Sequence, residues 1–239
     1  MRPGTDEIYV AVGDRVMRLV RSPSTTLVTY AGSGAPVDMG VLDGTLGGAT
    51  FGLNVGLAIA PADRMYVAEV LGPRLRRIDM TAGTVTTLAG TGVEGFMDGD
   101  GAQAQFHEPV SVASDGMGTL YVADEYNHCV RAVNVATGVV STYAGSCGAN
   151  SGYVPFDDGT RAVARFPRPI GVTWYRGTLY VSDQSGVRAI SGDLVVHVDP
   201  ARSRQAGGSL LWHPGQITFR GCEMIVADFE GHRIARVTQ

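Results

Sequence analysis

The feature that most constrains the fold is a short phrase that the sequence repeats. Segments related to YVAD occur five times, at 8–12, 65–69, 120–124, 179–183 and 224–228. Each is followed by a polar loop and a second alternating segment, and the first four continue through a turn into a third. A further alternating segment precedes every copy except the first. Because apolar and polar residues alternate with a period of two, all of these segments are predicted to be β-strands.

Each full unit therefore contains four short strands, which we name a to d, with the YVAD phrase as strand b. Four-stranded units that recur at intervals of about 40 to 50 residues are typical of propeller blades, which cover one another's faces. We predict an all-β fold, a β-propeller of four-stranded antiparallel blades forming one domain over residues 1–239. The first repeat lacks strand a and the last lacks strand d. The five repeats are expected at about 6–32, 51–90, 106–145, 166–200 and 211–239.

A second motif, D-G-x4-A-x-F, leads into strand a at 43–51, 98–106 and 158–166, and we call these three segments the lead-ins. Their last residues, Phe51, Phe106 and Phe166, are predicted to be buried plugs, because large aromatic side chains gain most from burial. Pro109, Pro169 and Pro214 follow where strand a begins, a position at which a missing N–H costs little.

Three short patterns carry a resemblance to a known family. They are P-x-x-[VI] at the start of strand a, YVAD in strand b, and NH-x-[IV]-R, seen as NHCVR at 127–131. Together they resemble the NHL-repeat family of β-propellers. That family usually closes with six blades, so the resemblance implies an open arc or part of a six-bladed ring. Because open strand edges can pair with other chains, self-association through blade edges is expected.

Charged residues at matching positions of the repeats are predicted to be structural. Asp124, Asp183 and Asp228 end strand b, and Arg233 begins strand c of the last repeat. We expect these side chains to hold the blades together through hydrogen bonds and ion pairs, since charges in such positions are usually paired.

One face of the propeller is the predicted binding surface. Antiparallel strands reverse direction, so the b–c and d–a loops emerge on the same face, and the d–a loops are long. Aromatic and arginine side chains often anchor protein interfaces. We therefore predict a non-enzymatic scaffold whose partner is a protein. The candidate binding residues in these loops are Tyr126, Asn127, His128, Phe229, His232, Arg161, Arg165 and Arg168.

Two other functions stay open at this stage. Relatives in the family include metal-dependent lyases and lactonases, and His107 and His213 flank strand a near the expected channel mouth. Two histidines fall short of a catalytic zinc shell, so no metal or other cofactor is predicted. No spacing marks a Ser/His/Asp set. The other alternative is RNA binding by Arg161, Arg165 and Arg168, although Asp157 and Asp158 offset their charge.

Composition narrows the remaining possibilities. The formal net charge is −4, which favours neither nucleic acid nor an anionic membrane as a partner. All 19 basic residues are arginine, so a lysine Schiff base is impossible. The three cysteines show no CxxC spacing and are interpreted as unpaired thiols, which leans toward an intracellular location without fixing it. No signal peptide or membrane-inserting segment is predicted.

Overall fold

The computed structural model describes residues 7–21, 25–35, 41–148, 157–198, 214–228 and 232–238. In these residues five antiparallel sheets form the blades of a five-bladed β-propeller, which confirms the predicted fold class. One 3-10 turn, Glu125–Asn127, lies in a loop of the third blade.

The strands follow one another along the chain, blade by blade. The first blade contains β1 (Ile8–Val12), β2 (Arg15–Val20) and β3 (Thr26–Ala31). The second contains β4 (Gly44–Thr45), β5 (Asn54–Ala60), β6 (Arg64–Glu69), β7 (Arg74–Asp79) and β8 (Thr84–Ala89). The third contains β9 (Pro109–Ser114), β10 (Thr119–Asp124), β11 (Cys129–Asn134) and β12 (Val140–Ala144). The fourth contains β13 (Gly159–Thr160), β14 (Gly171–Tyr175), β15 (Thr178–Asp183), β16 (Gly186–Ser191) and β17 (Leu194–His197). The fifth contains β18 (Pro214–Arg220), β19 (Glu223–Asp228) and β20 (Arg233–Thr238).

The four observed a strands, β5, β9, β14 and β18, contact one another in succession at the hub. They approach so closely that small residues are required. A Cβ atom on Gly56 would lie 2.8 Å from the Cα of Ser111, so any larger residue would push two blades apart. The hydroxyl of Ser111 also donates to Oε1 of Gln216 at 3.2 Å, which joins the third blade to the fifth.

Hydrophobic cores fill the spaces between successive blades. Tyr66 and Ala68 of the second blade pack with Leu120 and Val122 of the third, and the third blade packs against the fourth in the same way. Consecutive residues of strand b therefore face opposite neighbouring blades, because side chains along a strand alternate between its two faces.

The lead-ins cover the blades in a way that the sequence predicted only in part. Phe51, Phe106 and Phe166 are fully buried, which confirms them as plugs. The short strands β4 and β13 were not predicted. Each pairs antiparallel with strand d of its own blade and so covers that outer edge.

A buried arginine recurs at the same position in strand c of the second, third and fourth blades. It pairs with the carboxylate that ends strand b and with the aspartate of the lead-in. The three sets are Arg76 with Glu69 and Asp43, Arg131 with Asp124 and Asp98, and Arg188 with Asp183 and Asp158. In the fifth blade Arg233 donates to Asp228 at 3.1 Å. The prediction that these charges are paired is therefore confirmed, but the pairs lie within single blades and their lead-ins and do not link one blade to the next.

In this network the carboxylate of Glu69 is only partly hydrogen-bonded. Burial raises the pKa of Glu69 to about 7, although the Arg76 guanidinium acts in the opposite direction. Oε1 accepts from Arg76 at 2.9 Å and from the Gly52 N–H at 3.2 Å, whereas Oε2 has no hydrogen-bond partner. A lone buried carboxylate oxygen is costly, and protonation at Oε2 would reduce that cost.

Stability is expected to fall as the pH rises from about 5 to 7.5 because of Glu69. A carboxyl group whose pKa is higher folded than unfolded binds its proton more tightly in the folded state. Its contribution is complete below the unfolded value of 4.5 and is lost as the pH rises through about 7. Urea unfolding of the wild type and Glu69→Gln across this range should show a flatter curve for the variant, by roughly 1 to 3 kcal/mol. Parallel curves would show that Glu69 does not titrate there.

The interpretation of the cysteines as unpaired thiols is wrong for two of the three. Cys129 and Cys147 form a disulfide, and only Cys222 is free. Cys129 begins β11, and Cys147 follows β12, the strand paired with β11, so sheet pairing brings together residues 18 apart in sequence. The expectation of an intracellular location rested on unpaired cysteines. The disulfide removes that basis, since such bonds persist in oxidising compartments.

Removing this disulfide is expected to cost about 2 to 4 kcal/mol of stability, because the open chain gains conformational freedom when unfolded. The test is denaturant unfolding of the double variant Cys129→Ala/Cys147→Ala beside the wild type. Cys222→Ala is the matched control, and its unfolding curve should overlay the wild type because Cys222 is exposed and unpaired. A double variant as stable as the control would show that the bond adds nothing.

Candidate functional site

The aromatic ring of Tyr126 is the centre of a cluster where the third and fourth blades meet on the loop-rich face. The His107 ring stacks on it with centroids 5.1 Å apart. The Arg168 guanidinium lies 4.5 Å from the ring centroid and donates to the tyrosine oxygen at 3.0 Å. We call His107, Glu108, Glu125, Tyr126 and Arg168 the blade 3–4 cluster.

Backbone contacts fix the positions of these side chains. The N–H of Tyr126 donates to the carbonyl of His107 at 3.1 Å, and the N–H of Glu125 donates to the carbonyl of Glu108 at 3.2 Å. The b–c loop is thereby tied to the residues just before β9. Glu108 and Arg168 each precede a proline and have φ of 54° and 52°, an unusual region for residues other than glycine. Such backbone is maintained only where the surroundings determine it.

The cluster is more acidic than basic. Nε of Arg168 donates to Oε1 of Glu125 at 2.9 Å, and Nε2 of His107 lies 3.6 Å from Oε2 of Glu94. Burial and then the neighbouring Glu125 carboxylate raise the pKa of Glu108 above its usual range. These three glutamates were missed by the sequence analysis. Two of them could have been found from their position in the repeat, since Glu108 directly precedes strand a and Glu125 directly follows strand b.

Two of the predicted binding residues are buried. The amide of Asn127 donates to the Gly95 carbonyl and to Oδ2 of Asp124, both at 2.8 Å. His128 has φ of 56°, and its Nδ1 accepts from the Arg168 N–H at 3.2 Å. Burial and then the Arg168 charge lower the pKa of His128. Both side chains hold the loop in place, so neither is available for direct contact with a partner in this structure.

The other predicted residues are dispersed. Arg161 lies over the Tyr143 ring at 4.6 Å and donates to Asp193 at 3.3 Å, beside the c–d turn of its blade, so it does not join the cluster. Arg165 is exposed, and its Nε lies 3.7 Å from Asp157. His232 is exposed in the turn before β20. Phe229 and His213 lie outside the described residues.

The alternative functions gain no further support from these contacts. In the described part of the chain, no group of three or more His, Cys, Asp or Glu side chains is arranged to hold a metal ion. Arg161, Arg165 and Arg168 each face a carboxylate, which reduces the positive charge available to RNA. Among the described residues, no helix has the length and apolar character needed to cross a membrane.

Comparison with a family model identifies the repeat. The NHL repeat model matches residues 106–132, which contain β9, β10 and the loop that carries Tyr126. This chain is a β-propeller with an NHL repeat in its third blade. In the NHL-repeat propeller the matched segment holds His107, Glu108, Glu125 and Tyr126, four members of the blade 3–4 cluster.

Known proteins resemble this NHL-repeat propeller over parts of their length. The chloroplastic protein SUPPRESSOR OF QUENCHING 1 of Arabidopsis thaliana is 33% identical over 84 residues, which are 35% of this chain and 8% of that protein. An auxiliary nutrient binding protein from Bacteroides ovatus aligns with a TM-score of 0.64 and 17% identity, covering 98% of this chain and 56% of the other. Virginiamycin B lyase from Staphylococcus aureus aligns with a TM-score of 0.58 and 12% identity, covering 100% and 65%. This chain thus spans less than two thirds of each relative, and the structural matches show the fold alone.

Proposed function

We propose that this NHL-repeat propeller is an interaction scaffold that binds a segment of a partner protein at the blade 3–4 cluster. The observation that carries the proposal is the ordered stack of His107, Tyr126 and Arg168 on the loop-rich face. Tyrosine and arginine are the side chains most often responsible for binding energy at interfaces. Because this stack is already in place, binding would not require these side chains to lose further conformational freedom.

The charges around the stack favour a basic partner. Glu94, Glu108 and Glu125 contribute three carboxylates, against the single guanidinium of Arg168. The Glu94 side chain is 60% exposed, so its charge is accessible to an incoming chain. Complementary charge speeds association and selects among partners. We therefore infer that arginine or lysine side chains of the partner lie near Glu94.

Apolar side chains beside Glu94 offer the contacts that charge alone cannot supply. Val93 and Phe96, in the loop between the second and third blades, are 60% and 41% exposed. Phe96 also lies 4.9 Å from the Arg131 guanidinium, which holds one face of its ring against the blade. A partner segment that alternates basic and apolar residues would match this surface.

Replacing Tyr126 with alanine should weaken binding to such a segment at least about tenfold, a loss of about 1.4 kcal/mol. The measurement is fluorescence anisotropy with synthetic peptides of basic–apolar, acidic–apolar and neutral–apolar composition. The basic–apolar peptides should bind the wild type most tightly, and less tightly in high salt. The melting temperature should stay close to that of the wild type.

Tyr143→Ala is the matched control, because it removes a second tyrosine–arginine contact, with Arg161, outside the cluster. This variant should bind the basic–apolar peptides as the wild type does. If the wild type showed no preference for basic peptides, or if Tyr143→Ala lost binding as strongly as Tyr126→Ala, the proposed surface would be incorrect.

A further inference from the structure

Three polar side chains meet beside the b–c turn of the fourth blade. Asp183 pairs with Gly186, so the turn consists of two residues, the second of which is Ser185. The Ser185 Oγ lies 3.0 Å from Nε2 of His197, and Nδ1 of His197 lies 3.0 Å from Oδ1 of Asp158. Hydroxyl, imidazole and carboxylate thus follow in the order and at the distances of a nucleophile, its general base and the group that orients the base.

Comparison with the other blades shows that the histidine is not needed for the architecture. His197 faces Arg188 across the sheet, and the equivalent residues in the second and third blades are Thr87 and Thr142. Each threonine donates its hydroxyl to the lead-in aspartate of its blade at 3.0 Å. A threonine already satisfies the structural contact, so what the histidine adds is a ring nitrogen within reach of Ser185.

The proton on the Ser185 hydroxyl has two possible acceptors. Oγ also donates to Oδ1 of Asp183, which accepts the Ser185 N–H at 2.7 Å as well. When His197 is protonated, its two N–H groups face Asp158 and Oγ, and the Ser185 hydroxyl continues to donate its hydrogen bond to Asp183. When His197 is neutral with its proton on Nδ1, Nε2 can accept the hydroxyl proton. Arg188 pairs with both aspartates, and although burial acts in the opposite direction, the Arg188 charge helps to hold the pKa of Asp158 below its usual value.

We propose that Ser185, His197 and Asp158 form a nucleophilic serine site, a role that goes beyond partner binding and does not depend on it. Oγ would form a bond to the carbonyl carbon of an ester while its proton moves to Nε2 of His197. The bond to the leaving oxygen then breaks, and that oxygen takes the proton from Nε2. Water, activated by the same imidazole, releases the acid from the acyl-serine.

The surroundings of Ser185 define the substrate class. In many serine sites the nucleophile's own N–H stabilises the developing oxyanion, but here the Ser185 N–H is engaged with Asp183. Reaction should therefore be limited to activated groups whose leaving group needs little assistance, namely aryl esters, which lose a phenolate, and fluorophosphonates, which lose fluoride. The His197 side chain is only 4% exposed, so we expect substrate to bind at Oγ, with only its leaving oxygen and later one water reaching Nε2.

The test is covalent labelling of the full chain by a fluorophosphonate at about pH 8, with the modified residue located by mass spectrometry. We expect the label on Ser185 and none there in Ser185→Ala. His197→Thr places the residue of the other blades at this position, so the fold should be kept while labelling falls at least about 100-fold, as loss of a general base predicts. Ser191→Ala changes an exposed serine of the same blade and should label as the wild type.

The labelling rate should also fall as the pH is lowered from about 8 to 5, because a protonated imidazole cannot accept the hydroxyl proton. An unlabelled Ser185 in the folded wild type would overturn the proposal. Labelling that is unchanged in His197→Thr would overturn it as well, because Ser185 would then react without the histidine. Peptide binding at the blade 3–4 cluster should be the same in His197→Thr as in the wild type, so the two proposals can fail independently.

Discussion

Replacing Arg131 with methionine is expected to lower the free energy of unfolding by about 3 to 5 kcal/mol. The guanidinium is fully buried and donates to Asp124 at 2.7 Å and to the carbonyls of Gln105 and Met97 at 3.0 and 2.9 Å. Methionine would leave the Asp124 carboxylate buried without a cation. It would also remove the guanidinium donors from the carbonyls of Gln105 and Met97, which would keep only the N–H groups that these two residues donate to each other, and each hydrogen bond lost by a buried group adds to the cost.

Arg233→Met is the matched control in the fifth blade, where the arginine also donates to the last carboxylate of strand b. Its side chain is 38% exposed, so water can replace it, and we expect a loss below about 1 kcal/mol. Adding Asp124→Asn to Arg131→Met should recover part of the loss because it removes the isolated charge. Urea denaturation of the four proteins measures all of these differences. Equal losses at Arg131 and Arg233 would show that burial does not set the cost.

Phe106→Ala is the second substitution with a large expected effect, about 3 to 5 kcal/mol. The ring is fully buried in the core between the second and third blades, and the Arg131 guanidinium lies 5.2 Å from its centroid. Alanine would leave a cavity beneath the lead-in. Because Phe106 directly follows Gln105, the cavity would loosen the contact that Arg131 makes with the Gln105 carbonyl.

Phe96→Ala serves as the control, since this ring also approaches Arg131 but is 41% exposed. We expect it to cost less than about 1.5 kcal/mol, the range for an aromatic contact at the surface. Chemical denaturation of both variants provides the comparison. A loss below about 1 kcal/mol for Phe106→Ala would contradict its role as a core residue.

The sequence predicted those parts of the fold that repetition encodes. The strand period, the buried phenylalanines and the pairing of Asp124 and its equivalents all follow from patterns that occur several times in the chain. The short strands β4 and β13 do not, because two residues cannot show a period. Their pairing depends on where the lead-in lies against strand d, which is a tertiary contact.

The candidate sites were less predictable because they depend on contacts between distant residues. Tyr126 and Arg168 were both selected from their residue type and their place in the loops of one face, but nothing in the sequence shows that they touch. Asn127 and His128 were selected by the same reasoning and are buried, since exposure depends on how the loop folds back. The disulfide and the contact of Ser185 with His197 lack a diagnostic spacing and appear only when neighbouring strands are paired.

The lead-ins have a consequence for how such a chain can gain or lose blades. The N–H groups of Gly32, Gly90 and Gly145, each at the end of a strand d, donate to lead-in carbonyls of the following blade at 2.8 to 2.9 Å. These junctions use backbone atoms and the same motif each time, so they are nearly interchangeable. A duplication or deletion of one whole repeat would recreate a junction of the same kind, and the number of blades could change without a new interface having to evolve.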